Sequence, residues 1–234
     1  MIIIFNWIHN QLNFIINTNY TLHLKLRLRE QRKDDVMKIK DLGTESSSTG
    51  GKSTWSRPPV GRFKMNTDGV CPYPMIQADG VERGLAGYAG ILRNDRGIWV
   101  RGFQGSFNGE TKNIVTIELH GIHKGLKLLD KLKLKGSILE SDNQAAVDWV
   151  NRQNNYRGNS PIINGCWDII IESRQLKLKN DVAIVHIIGD NANQCADKLA
   201  DIAAKKQGPY LEIRDLPPEI SHLVVKDMKS LIKH

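Results

Sequence analysis

Cysteine is scarce: Cys71, Cys166 and Cys195 are the only three in 234 residues. No two have the spacing of a zinc site or a redox pair, and an odd, sparse set argues against a disulfide framework. The expectation is a reducing intracellular compartment, with each thiol free and buried. Long apolar runs are also lacking. Met1-Ile2-Ile3-Ile4-Phe5 is soon interrupted by Asn6, His9, Asn10, Gln11 and Asn13, far short of the roughly 20 apolar residues that span a bilayer. No membrane partner is expected. The positive charge that opens a secretory signal is missing, because Lys25 is the first lysine or arginine. No acid precedes Glu30, as in organellar presequences, but arginine is sparse in that stretch, with only Arg27 and Arg29 near its end. Residues 1–54 therefore read as an N-terminal tail and flexible linker, with Glu45-Ser46-Ser47-Ser48-Thr49-Gly50-Gly51 as the linker composition.

What is present is a balanced globular composition carrying an excess of positive charge. Apolar residues make up 40%, enough for a packed core, and the formal net charge is +8. A basic balance favours polyanionic partners such as nucleic acid. Structural signals become dense from Trp55 onward. Phe63, Met65 and Thr67 alternate with Lys64, Asn66 and Asp68, the period of a strand. Residues 84–92 and 98–106 read as two further strands, joined by the turn Asn94-Asp95-Arg96-Gly97. Val115, Leu119, Ile122, Leu126 and Leu129 form a helical stripe. A strand over 135–141, a short helix over 143–151, a helix from Pro161 to Leu176 and a strand over 182–188 follow. The last helix of the domain starts at Asn191, where Asn191-Ala192-Asn193-Gln194 resembles a capping box. The order βββαβααβα predicts an α/β domain over 55–207, a mixed sheet with helices on its faces. Residues 208–234 read as a C-terminal extension with at most one weak helix.

Four acids stand out against this frame. Asp68 and Asp142 end apolar strands, where ligands gather in α/β sheets. Glu118 flanks the buried stripe of the first long helix, and Asp197 lies two turns into the last one. Singly, such acids are turn residues or helix-dipole partners. Gathered at one sheet end they would repel one another, which divalent cations relieve. Oxygen donors suit Mg2+ or Mn2+, and no His/Cys set competes for zinc.

The surrounding motifs carry a resemblance. Phe63-Lys64-Met65-Asn66-Thr67-Asp68-Gly69-Val70, Ala86-Gly87-Tyr88-Ala89-Gly90-Ile91-Leu92-Arg93, Ile117-Glu118-Leu119, Leu139-Glu140-Ser141-Asp142-Asn143 and the segment Asn191 to Ala200 occur in order. Together they resemble the ribonuclease H-like domain of plant reverse-transcriptase-like, retroelement-related proteins. That resemblance implies a three-layer α/β fold with a mixed five-stranded sheet. It implies cleavage of the RNA strand of RNA–DNA hybrids by a monomer. Asp68, Glu118, Asp142 and Asp197 would be the catalytic metal ligands, with Asp142 bridging two Mg2+ ions and Mn2+ as a substitute. Two cations roughly 4 Å apart activate water and stabilise the leaving oxygen. Asn113 and Asn143 are candidates for contacts with the nucleic acid, where 2′-hydroxyls mark RNA.

The chain departs from the family pattern in two places. Ile188-Gly189-Asp190-Asn191 lacks the loop histidine of many ribonucleases H, and His186 reads as a structural strand residue. Between Asn151 and Ser160 the only cations are Arg152 and Arg157. These motivate a second reading, a nucleic-acid-binding module with little or no turnover. A third, strand transfer as in transposases, fits the element order less well. Gly50-Gly51-Lys52-Ser53 ends like a phosphate-binding loop, but no apolar strand leads into it. His120 and His123 lack the spacing of a zinc protease motif and are expected to be exposed. Glu140 reads either as a support for Asp142 on the same strand face or as a surface ion pair. The tryptophans Trp55, Trp99, Trp149 and Trp167 read as core or rim packing.

Overall fold

The computed structural model describes residues 54–71, 75–76, 82–83, 85–107, 113–153 and 160–230. The tail and linker expected over 1–54, all but Thr54, and Arg157 lie outside them. The first strand, β1 (Phe63–Val70), is the centre of the sheet. It pairs antiparallel with β4 (Gly87–Asn94) and parallel with β6 (Ile138–Ser141). Beyond β4 lies β5 (Trp99–Ser106) and beyond β6 lies β7 (Ala183–His186). A two-residue pair, β2 (Met75–Ile76) and β3 (Glu82–Arg83), stands apart from this sheet.

The expected five strands are thus present, and a sixth joins them. β8 (Leu211–Ile213) pairs antiparallel with β5, giving the order β7-β6-β1-β4-β5-β8. Its three residues are too few to show a period in sequence.

Helices cover both faces. α1 (Ile114–Lys131), α2 (Gln144–Asn151), α3 (Pro161–Gly165) and α4 (Trp167–Asn180) share one core with Met65, Leu92, Phe103 and Leu139. The helix expected from Pro161 to Leu176 is divided at Cys166 into α3 and α4, and proline does occupy the first turn. On the opposite face, α5 (Asp190–Lys206) and α6 (Pro218–Ser230) pack with Ala89 and Ile91 through Cys195, Leu199, Ala200, Ile220 and Val224. The approach of α5 to β4 is close: a Cβ on Gly87 would lie 2.4 Å from the Ala204 nitrogen and 2.6 Å from the Ala200 oxygen. Of residues 208–234, read as an extension, the described part therefore supplies a strand to the sheet and a helix to its second core. No helix among the described residues is long and apolar enough to cross a membrane.

Some local expectations change. α5 begins one residue before Asn191, with Gly189 as its N-cap, while the Gln194 amide still donates to the Asn191 side chain at 2.6 Å. His123 is buried, not exposed, because Glu172 of α4 meets its Nε2 at 2.7 Å; burial pushes the imidazole pKa down. His120 is half-buried and donates from Nδ1 to the Thr116 carbonyl. Cys166 and Cys195 are buried as expected, but Cys71 is exposed.

Candidate active site

Strand alternation decides which side chains reach the sheet's end. On β1, Met65, Thr67 and Gly69 face α1, and Lys64, Asn66 and Asp68 face α5. The site forms where the β1 and β6 ends meet both helices. Gly69 sets the spacing there, since a Cβ on it would sit 2.9 Å from the Glu118 nitrogen. The missing side chain lets α1 deliver Glu118 to the strand end.

Asp68, Glu118 and Asp142 each offer a carboxylate oxygen, and these oxygens lie within 4.8 Å of one another. Asp68 and Glu118 are buried, whereas Asp142 is exposed, so the cluster opens to solvent on one side. Burial pushes the Asp68 pKa well above the carboxylate range, and the charges of Glu118, Asp142 and Asp197 push it further. A hydrogen bond to Asp142 adds to that rise. Glu118 is pushed up to about 8, first by burial and then by Asp142. Bonds from the Gly69 backbone N–H and from Ser141 Oγ, at 3.3 Å from Oε2, act in the opposite direction.

Asp197 stands outside this close triad on α5. It is near enough for its charge to raise both Asp68 and Glu118. Asn113 and Asn143 are found as helix N-caps. The Asn113 side-chain Oδ1 accepts from the Val115 N–H at 2.9 Å, and the Asn143 side-chain Oδ1 from the Ala146 N–H at 3.0 Å. Both caps lie at the N-termini of helices that begin near the strand ends.

One residue of the site was not singled out from the sequence. Asn193, in the first turn of α5, is buried, and its Nδ2 lies 3.0 Å from Asp68 Oδ1, 3.2 Å from Asp142 Oδ2 and 3.1 Å from the Thr67 carbonyl. Three acceptors around one nitrogen fix the orientation of the amide, because the reverse would oppose oxygen to oxygen. Its Oδ1 is buried with no hydrogen-bond partner among the described residues. Asn193 precedes Asp197 by four residues, one helical turn, which is the signal that could have paired them. His186 ends β7, and its Nε2 donates to the Asp142 carbonyl at 3.0 Å, consistent with a structural role.

The donor set fits hard divalent cations. All its ligand atoms are oxygen, and Asp68 and Glu118 carry raised pKa values, a cost that bound cations relieve.

A sequence profile described as reverse transcriptase-like matches residues 77–203, more than half of the chain. The chain belongs to the reverse-transcriptase-like family. Within that family match lie Glu118, Asp142 and Asp197, while Asp68 precedes it. Among curated proteins, an Arabidopsis thaliana protein named as a ribonuclease H is 29% identical over 175 residues, covering 74% of this chain. The chain spans about a quarter of that relative's length, 25%. RNase H1 of the halophilic archaeon Halobacterium salinarum shares the fold at a TM-score of 0.50 and 18% identity, over 62% of this chain and 99% of the archaeal one. The prototype foamy virus protease–reverse transcriptase also aligns at 0.50, with 16% identity, over 66% of this chain and 22% of the viral one. The fold of this reverse-transcriptase-like chain is ribonuclease H-like, with a mixed sheet of six strands.

Proposed function

We propose that this domain is a metal-dependent nuclease that hydrolyses the RNA strand of RNA–DNA hybrids. The observation that carries the reading is the convergence of Asp68, Glu118 and Asp142 within 4.8 Å at one solvent-open sheet end. The ribonuclease H name of the Arabidopsis relative supports the same activity class. The basic balance, +8 for the chain, suits a polyanionic substrate.

Asp68, Glu118 and Asp142 would hold the Mg2+ pair, and Asp197 would complete the ligand set of the second ion; Mn2+ would substitute. When bound, such a pair supplies charge stabilisation to the attacking and leaving oxygens of an in-line displacement. The residues of the chain provide positioning. Asn193 holds the Asp68 and Asp142 carboxylates against one another by donating to both. Ser141 and Gly69 orient Glu118. The buried backs of Asp68 and Glu118 keep water from their far sides, so their charge is felt at the open mouth. Asn113 and Asn143 cap their helices through their side-chain carbonyls, leaving the amide groups of both as the proposed contacts for nucleic-acid hydroxyls.

The test is cleavage of an end-labelled RNA–DNA hybrid in Mg2+ by the wild type and by Asp142→Asn. Cutting by the wild type alone, leaving 5′-phosphate and 3′-hydroxyl ends, supports the proposal. Equal cutting by both proteins rejects it. A second reading, hybrid binding without turnover, is favoured by the lack of a histidine between β7 and α5. Tight binding with no cleavage in Mg2+ or Mn2+ would select it.

A further inference from the structure

Behind the carboxylates, on the same sheet face, lies a buried polar network with no place in the chemistry above. Lys64 and Glu140 form an ion pair at 2.5 Å, and Arg93 and Asp227 form another at 2.7 Å. All four side chains are at least nine-tenths buried. Asn66 joins the pairs: its Oδ1 accepts from Arg93 and from the Trp55 indole, both at 2.9 Å, and its Nδ2 donates to Glu140 at 2.9 Å. The Trp55 ring lies 3.6 Å from the Arg93 guanidinium carbon. Two positive and two negative charges are thus enclosed with no net charge.

Stability alone does not account for such a network, since apolar residues of similar volume commonly serve as well. Its geometry does something apolar packing would not. Asn66 and Glu140 are register partners across the parallel pair β1–β6. Asp68 follows Asn66 by two residues, and Asp142 follows Glu140 by two. A slip by one residue would turn Asp68 to the wrong face, and a slip by two would part Asn66 from Glu140. The polar pair therefore selects the register that brings Asp68 beside Asp142. Asp227 lies on α6, and Trp55, Lys64, Asn66 and Asp227 all fall outside the segment 77–203 matched by the family.

We propose that helix α6 is a positioning element for the candidate metal site. Asp227 fixes Arg93, Arg93 and Trp55 fix Asn66, and Asn66 locks the β1–β6 register that places Asp68 against Asp142. The inference rests on the nuclease reading for what the site holds, but the lock itself is separable from that reading.

The test uses the full chain carrying Asp227→Asn, Asp227→Glu or Trp55→Phe. Mn2+ affinity is read by calorimetry, fold by far-ultraviolet circular dichroism, and local opening by amide hydrogen exchange. Asp227→Asn is expected to weaken Mn2+ binding about tenfold with helix content unchanged. Exchange is expected to quicken in residues 64–70 and 138–142 and not in α4. Asp227→Glu is expected to recover most of the affinity. A folded Asp227→Asn with wild-type affinity and exchange overturns the proposal. Should Asp227→Asn fail to fold, Trp55→Phe decides, since it keeps an aromatic ring beside Arg93 and removes the N–H bond to Asn66 together with part of the buried indole volume. Wild-type behaviour in that variant overturns the proposal equally. If the wild type takes up no Mn2+, the nuclease reading fails, and the lock stands or falls on the exchange result alone.

Discussion

At the scale of single residues, the site's chemistry rests on side chains that share charge. Asn193 is the junction, donating toward two acids at once. Asn193→Ala is expected to lower Mg2+ or Mn2+ affinity by about 10- to 100-fold, the usual cost of losing a group that orients metal ligands. Calorimetric titration checks this, with Asn193→Gln as the partial rescue. Glu118 yields a prediction in pH. Its folded pKa of about 8 lies above the ordinary 4.5, so the folded state holds a proton that the unfolded chain releases. That contribution to stability is fully present below about pH 4.5 and is lost as pH rises through about 8. Metal-free thermal unfolding should therefore fall in Tm across this window. Glu118→Gln should flatten the slope, and Mg2+ should raise Tm most at the alkaline end. Asp68, Glu118 and Asp142 were legible in the sequence because strand ends and a helical stripe locate them. Asn193 was not, because its segment reads first as a helix start. His123 was misread for a similar reason: its partner Glu172 lies 49 residues away, and helical spacing does not reveal it.

At the scale of elements, close approach of helix to strand sets the site. Gly87 is the contact of β4 with α5, where a Cβ would fall 2.4 Å from backbone that cannot rotate away. Gly87→Ala is expected to cost about 1–3 kcal/mol, the range for an overpacked core, measured by urea denaturation. Because α5 carries Asn193 and Asp197, metal affinity should fall with it. The five strands and four helices expected from β1 to α5 were legible from periods of two and near 3.6, except that the helix from Pro161 is divided at Cys166. β8 and the packing role of α6 were not. β8 has three residues, and the apolar face of α6 meets partners some 130 positions earlier in the chain, as in the 134-residue separation of Arg93 and Asp227.

At the scale of the whole molecule, the segment after Gln207 is part of the fold's stability. Asp227→Ala leaves the Arg93 guanidinium buried without its partner, a change that typically costs about 3–5 kcal/mol. Against a usual total of about 5–15 kcal/mol, chains ending at residue 207 should lose cooperative unfolding in differential scanning calorimetry. The parallel pairing of β1 with β6 has a consequence for how the molecule comes into being. Asn66 and Glu140 are 74 residues apart, so that contact closes a long loop and forms late compared with the α1 and α4 turns. No partly collapsed species can present the carboxylate triad, because Asp68 and Asp142 meet only once that loop is shut. A cation seated there would register completed assembly, and in a refolding experiment Mn2+ uptake would trail the recovery of ellipticity.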